Sequence, residues 1–226
     1  MQETRNLLRN LIPAGVLYFY SGFFFVILNF EAMLNGGVWV PNFGDWPLAG
    51  IISFFALLSP AIGHLISTIH HSLYNSISLR GIYPSIDHSQ FIKDYNPWIV
   101  YRLPPGKQST SSIDPWVLIN FLWHSHFDRV QSNQLIENRN NLLSHIAHGN
   151  GALFIAALLS LPVALILEAT LASLLSVRPS IDWLALFLSL ASWFPLLAIH
   201  RWSYSTTLEK EKEFVEINLA AALTSR

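Results

Sequence analysis

"LIPAGVLYFYSGFFFVILNF", residues 11 to 30, contains no Asp, Glu, Lys or Arg over the roughly 20 residues that a helix needs to cross a bilayer. Three further stretches share this property, and they cover residues 47–69, 151–167 with a possible continuation past Glu168 to 177, and 183–199. Backbone polar groups in lipid must be satisfied internally, and period-two alternation is missing, so each stretch is predicted to be a helix. The sequence therefore predicts an all-α integral membrane protein with four transmembrane helices.

The composition of the 226-residue chain supports this fold class. Hydrophobic residues make up 52% and charged residues only 12%, whereas soluble domains carry roughly 25% charged residues. A net charge of −1 provides no overall basic field to attract nucleic acid or anionic lipid. The absence of cysteine excludes disulfides, thiolate nucleophiles and zinc–thiolate sites. The absence of a Gly-rich phosphate loop and of a G-x-S-x-G nucleophile argues against an NTPase or a serine hydrolase.

The basic residues predict the orientation in the membrane. Of the 13 Lys and Arg residues, 12 lie in the two tails or between the second and third stretches, and only Arg178 lies opposite. The positive-inside rule then places both termini in the cytosol. The predicted organisation is a cytosolic N-terminus (1–10), a transmembrane hairpin (11–69), a cytosolic insert (70–148), a second hairpin (149–200) and a cytosolic amphipathic tail (201–226).

The insert is predicted to be irregular in its first half, with one or two short elements, and helical in its second half. At "SSIDPW", Asp114 can accept from free backbone amides while Pro115 takes the first helical position. Helix is expected from there to about His148, with a break near Asp128. Val117, Leu118, Phe121 and Leu122 form one predicted apolar face, and Leu135, Leu142, Leu143 and Ile146 form another. The tail is interpreted as a solvated or surface-lying helical extension.

Histidines are concentrated near one predicted membrane face. On the second helix they join a polar stripe at helical spacing, and a similar stripe leads into the third helix. The stripes consist of His64, Ser67, His71 and Asn75, and of Asn138, Asn141, His145 and His148. Polar residues at membrane depth usually face the bundle or a cavity, so His64, His71 and His148 are predicted binding residues. We expect no metal or cofactor; the alternative is a transition metal held by His64, His71, His145 and His148.

"RNNLLSH", residues 139–145, fits the pattern R-N-x4-H and resembles the motif of HEPN-type ribonucleases. The resemblance covers seven residues and implies that Arg139, Asn140 and His145 are catalytic and act on RNA, the arginine and histidine usually coming from two protomers. On an uninterrupted helix Arg139 and His145 point about 120° apart, so a dimer or a helix break is required. Some membrane-associated CRISPR accessory proteins carry such a motif, which implies a role in antiviral defence at the bacterial inner membrane.

Three functional hypotheses follow. The preferred one is a non-enzymatic membrane effector or accessory protein, a homo-oligomer with pore-like character whose insert senses or binds a cytosolic protein or RNA. Four helices leave little volume for a substrate, while the Gly, Ala and Ser residues of "GNGALFIAALLS" favour close helix packing. The alternatives are a membrane-anchored ribonuclease that uses Arg139 and His145, and a metal-dependent membrane enzyme with histidine ligands.

Overall fold

A computed structural model describes residues 2–30, 48–76, 79, 82–103, 113–127, 134–174 and 182–224. About 91% of these residues are helical and none of them forms a strand, which confirms the all-α prediction. The helices are α1 (Gln2–Leu28), α2 (Leu48–Tyr74), α3 (Ser89–Asp94), α4 (Asn96–Arg102), α5 (Pro115–Phe127), α6 (Gln134–Leu174) and α7 (Trp183–Thr224).

Helices α1, α2, α6 and α7 are long and apolar enough to cross a membrane, as the uncharged stretches predict. Helices α6 and α7 have 41 and 42 residues. At 1.5 Å per residue each is about 60 Å long, roughly twice the thickness of a hydrocarbon core. Both helices therefore extend well beyond the length that a single span requires.

Residues Met1–Ser76 and His148–Ser203 form one compact unit. Within it α1 packs closely against α2: Gly63 lies against the main chain of Asn10, and the rings of Tyr18 and Phe55 are 5.0 Å apart. The residue numbers in these contacts increase along α1 as they decrease along α2, so the two helices are antiparallel.

Helix α6 packs against α1 and α7 in the same unit. The hydroxyl of Ser21 donates to the Ser160 carbonyl at 3.1 Å, and the amide of Asn29 donates to the Glu168 carboxylate at 2.7 Å. The indole N–H of Trp193 donates to the Ala157 carbonyl at 2.9 Å. Small residues of α6 are almost completely buried, as predicted for close helix packing, and they are Ala152, Ala156, Ala157, Ser160 and Ala164.

Residues Ile77–Ala147 and Tyr204–Arg226 form a second compact unit. Its apolar core includes Leu118 and Leu122 of α5 together with Val215, Leu219 and Leu223 of α7. The tail, interpreted from its sequence as a solvated or surface-lying helical extension, instead contributes to this core. One face of its helix is part of the core of this unit.

The short helices and the start of α5 in the second unit are as predicted from the sequence. Helices α3 and α4 are the short elements expected in the first half of the insert. The predicted start of α5 is confirmed, since Asp114 Oδ1 accepts from the backbone N–H of Trp116 at 2.9 Å and Pro115 is the first helical residue. The predicted break near Asp128 lies outside the described residues.

The predicted apolar faces of α5 and α6 are only partly correct. In α5, Leu118 and Leu122 are buried, but Val117 and Phe121 are 51% and 42% exposed. In α6 the predicted face is mostly wrong, because Leu135 is 82% exposed and Leu142 is 48% exposed. The sequence "VLINFLW" of α5 is apolar on most sides, so periodicity alone cannot select the side that packs.

A buried histidine is expected to contribute to the pH dependence of the stability of the second unit. The Nδ1–H of His88 donates to Glu216 Oε1 at 3.0 Å. Burial lowers the pKa of His88, and this outweighs the opposing effect of the Glu216 carboxylate. The unfolded chain therefore takes up this proton at a higher pH than the folded chain. The stability contributed by neutral His88 is present above about pH 6.5 and is lost as the pH falls through lower values.

We expect the Tm of the detergent-solubilised wild-type protein, measured relative to that of His88→Asn, to fall between pH 7.5 and pH 5.5, because Glu211, whose raised pKa is about 7, titrates equally in both proteins. The asparagine amide keeps an N–H donor for Glu216 but does not titrate. Thermal unfolding followed by far-UV circular dichroism at both pH values measures the difference. Equal pH dependence in the two proteins would show that His88 does not contribute.

Candidate metal centre

Three histidines of the first unit come together at the end of α2 and in α6. His70, His71 and His148 each offer a ring nitrogen, and these atoms all lie within 4.8 Å of one another. His70 Nε2 and His148 Nδ1 are 3.0 Å apart, a hydrogen bond in which one nitrogen carries the proton that the other accepts. The three side chains are thus close enough to bind a common ion.

Helical geometry explains how two consecutive residues reach the same partner. Neighbouring side chains on a helix project about 100° apart, so His70 and His71 approach His148 from different sides. The ring centroids are separated by 5.1 Å for His70 and His71, 5.3 Å for His70 and His148, and 4.7 Å for His71 and His148. The centroids of the three rings form a nearly equilateral triangle.

Gly151 makes room for the most buried of these rings. His70 is 0% exposed, and a Cβ atom at residue 151 would overlap its imidazole. Gly151 lies three residues after His148 and therefore faces the same side of α6. The glycine allows α2 and α6 to approach closely enough for His70 to reach His148.

Tyr74 borders the cluster. It lies one turn after His70, and its ring centroid is 5.2 Å from that of His148 and 6.2 Å from that of His70. His71 and His148 are partly exposed, unlike His70. The accessible side of the cluster is thus the side formed by His71 and His148.

Two of the sequence-predicted binding residues, His71 and His148, belong to this cluster. His64 is exposed on α2, and His145 is exposed on α6 and belongs to the second unit; neither is a member. The third member, His70, is not one of the binding residues predicted from the sequence. It falls three and seven residues after Ser67 and Gly63, which are also buried, and this run of small residues is the signal that would have identified it.

The predicted ribonuclease residues lie along one unbroken helix. Helix α6 continues from Gln134 past His145, with Arg139 and His145 exposed and Asn140 partly buried. The arginine and histidine therefore project about 120° apart. Within one chain they do not form a common site, so the ribonuclease hypothesis now requires a second chain.

The side chains of the cluster can act as metal ligands, because neutral imidazole binds zinc, copper, nickel and iron well. A single chain provides all three side chains. Small residues near them in sequence, Ser67 on α2 and Gly151 on α6, are buried. No protein-family model, no curated protein and no solved structure matches the chain.

Proposed function

We propose that the protein is a membrane protein that binds one transition metal ion through His70, His71 and His148. The observation that supports this proposal is the mutual approach of their ring nitrogens to within 4.8 Å. Tetrahedral zinc with Zn–N bonds of 2.0–2.1 Å separates its ligand nitrogens by about 3.3 Å. The hydrogen-bonded pair at 3.0 Å is close to that spacing, and the third nitrogen lies within 4.8 Å of both.

The ligand set narrows the choice of metal. Hard cations such as Mg²⁺ and Ca²⁺ prefer oxygen ligands, which this cluster does not offer. Imidazole suits Cu²⁺, Zn²⁺, Ni²⁺ and Fe²⁺, and affinity for such sites is greatest at Cu²⁺ and falls again at Zn²⁺. We therefore propose Zn²⁺ or Cu²⁺ as the ion, with Co²⁺ as a spectroscopic substitute.

We also propose that the metal lies at the cytosolic end of the membrane helices, with both termini cytosolic and the helices arranged as two hairpins. The antiparallel contacts of α1 with α2 support the first hairpin. The concentration of 12 of the 13 basic residues in the tails and in residues 70–148 supports the orientation. His70 and His71 close the second span, and His148 precedes the third apolar stretch, so the ion joins two spans at the same membrane face.

A metal at this position is compatible with an effector or accessory protein as well as with an enzyme. It links α2 to α6, so gain or loss of the ion can change how the two helices pack. Homo-oligomer formation and a cytosolic protein or RNA partner stay predictions. The metal hypothesis is preferred because one chain brings its three ligands together.

The direct test is metal binding by protein purified in detergent without a polyhistidine tag and washed with chelator. Isothermal titration with Zn²⁺ and elemental analysis should give one ion per wild-type chain. His70→Ala and His148→Ala should each weaken binding by more than about 100-fold, because even changes outside the ligand shell cost roughly 10- to 100-fold.

The matched control is His64→Ala, which removes an exposed histidine from the same helix without touching the cluster. It should bind Zn²⁺ like the wild type. Wild-type protein that binds no transition metal, or equal losses in His64→Ala and His148→Ala, would refute the proposed site.

A further inference from the structure

The ligands of the histidine cluster carry no negative charge to compensate that of a bound divalent ion. Among the residues that the structure describes, the group has three members and all are histidines. Three neutral imidazoles leave a charge of about +2 on the metal complex. A buried charge without a partner is costly, and neither cysteine nor an acidic member of the group is present to reduce it.

The number of protein ligands also indicates that a bound metal would take a further ligand. Structural zinc sites are closed by four protein ligands, whereas sites with three protein ligands keep a fourth position for water or substrate. The cluster has three, and its burial is uneven: His70 is 0% exposed and lies against Gly151, while His71 and His148 are partly exposed. A small ligand can reach the metal from the side of His71 and His148.

Resting on the proposed metal site, we infer that the ion binds a small anion at a fourth position beside His71, His148 and Tyr74. The anion is a monodentate oxygen or nitrogen donor of the class of hydroxide, carboxylate or azide. It lowers the net charge of the complex, which explains why three neutral ligands suffice in a largely buried place. When no other anion is present, a bound metal would lower the pKa of a coordinated water, which would then release a proton to solvent and serve as hydroxide.

Tyr74 is assigned a positioning role at this anion. Its ring lies 5.2 Å from the ring of His148, which is one of the two partly exposed histidines of the cluster. A phenolic O–H can donate a hydrogen bond, and hydrogen bonds to charged acceptors are stronger than those to neutral ones. The hydroxyl of Tyr74 therefore favours anions that carry an acceptor atom next to the metal.

The test uses the full-length protein in detergent loaded with Cu²⁺ or Co²⁺ and titrated with sodium azide. Wild-type protein should show a saturable change in its visible absorption spectrum that fits one azide per metal. Tyr74→Phe should keep the same metal stoichiometry and weaken azide binding by about tenfold, which corresponds to one hydrogen bond to a charged group.

The control variant is Tyr101→Phe, which removes a phenol that is 87% exposed in the second unit. Its azide affinity should equal that of the wild type. One metal per chain with no spectral response to azide would overturn the inference while leaving the metal site intact, and failure to bind metal would overturn both. Unchanged azide affinity in Tyr74→Phe would overturn the role of that residue.

Discussion

Replacing Gly151 with alanine is expected to abolish tight metal binding, although the substitution adds only one methyl group and removes no ligand. The new Cβ would occupy the place of the His70 imidazole. That ring is fully buried and close-packed interiors leave little room to move aside. His70 must leave the cluster or α6 must move away from α2. We expect a loss of affinity of at least about 100-fold, comparable to ligand removal, in isothermal titration with Zn²⁺.

The matched control is Gly149→Ala, two residues earlier in the same helix. A Cβ at residue 149 meets nothing within 4 Å, and alanine favours helix by about 1 kcal/mol relative to glycine. This variant should bind Zn²⁺ normally and have a slightly higher Tm. Normal metal affinity in Gly151→Ala would mean that His70 does not occupy the buried position against α6. Circular dichroism of both variants separates loss of the site from loss of helical structure.

The four long apolar helices could be predicted because a single property, the absence of charged residues, determines them. The absence of charge over about 20 residues requires a helix in lipid whatever the surrounding structure. The start of α5 could be predicted for a similar reason, since Asp114 and Pro115 act locally. The helical continuity of α6 through His148 could not, because the predicted division between insert and hairpin follows polarity, and polarity changes without ending a helix.

The histidine site could be predicted only in part. Helical spacing puts His64, Ser67 and His71 on one polar stripe, whereas the buried face of α2 includes Gly63, Ser67 and His70 and leaves His64 exposed. A stripe shows which residues share a face, not which face meets a neighbouring helix. That information comes from tertiary contact, here from Gly151 against the His70 ring. The burial of apolar α5 side chains was decided by packing in the same way.

Replacing Gly63 with alanine is expected to cause a large loss of stability in the first unit. Gly63 is buried on α2, and a Cβ there would overlap the carbonyl group of Asn10 in α1. Small residues allow membrane helices to approach until their backbones touch, and this contact is of that kind. A side chain could rotate away from an added methyl group, but a helical carbonyl cannot. The two helices must therefore separate.

Overpacking of a close contact costs about 1–3 kcal/mol and occasionally more. Because the obstacle here is main chain, we expect the upper end of this range, about 3 kcal/mol, and a decrease in Tm of roughly 10 °C. Thermal unfolding in detergent, followed by circular dichroism, measures it.

Gly15→Ala is the control, since a Cβ at residue 15 of α1 meets nothing within 4 Å. A Gly63→Ala protein as stable as Gly15→Ala would contradict the backbone contact. Gly63 and His70 are seven residues apart and lie nearly on one face of α2. A separation of α1 from α2 at Gly63 should therefore also weaken Zn²⁺ binding at His70, but less than Gly151→Ala does, because only Gly151 touches the ring itself.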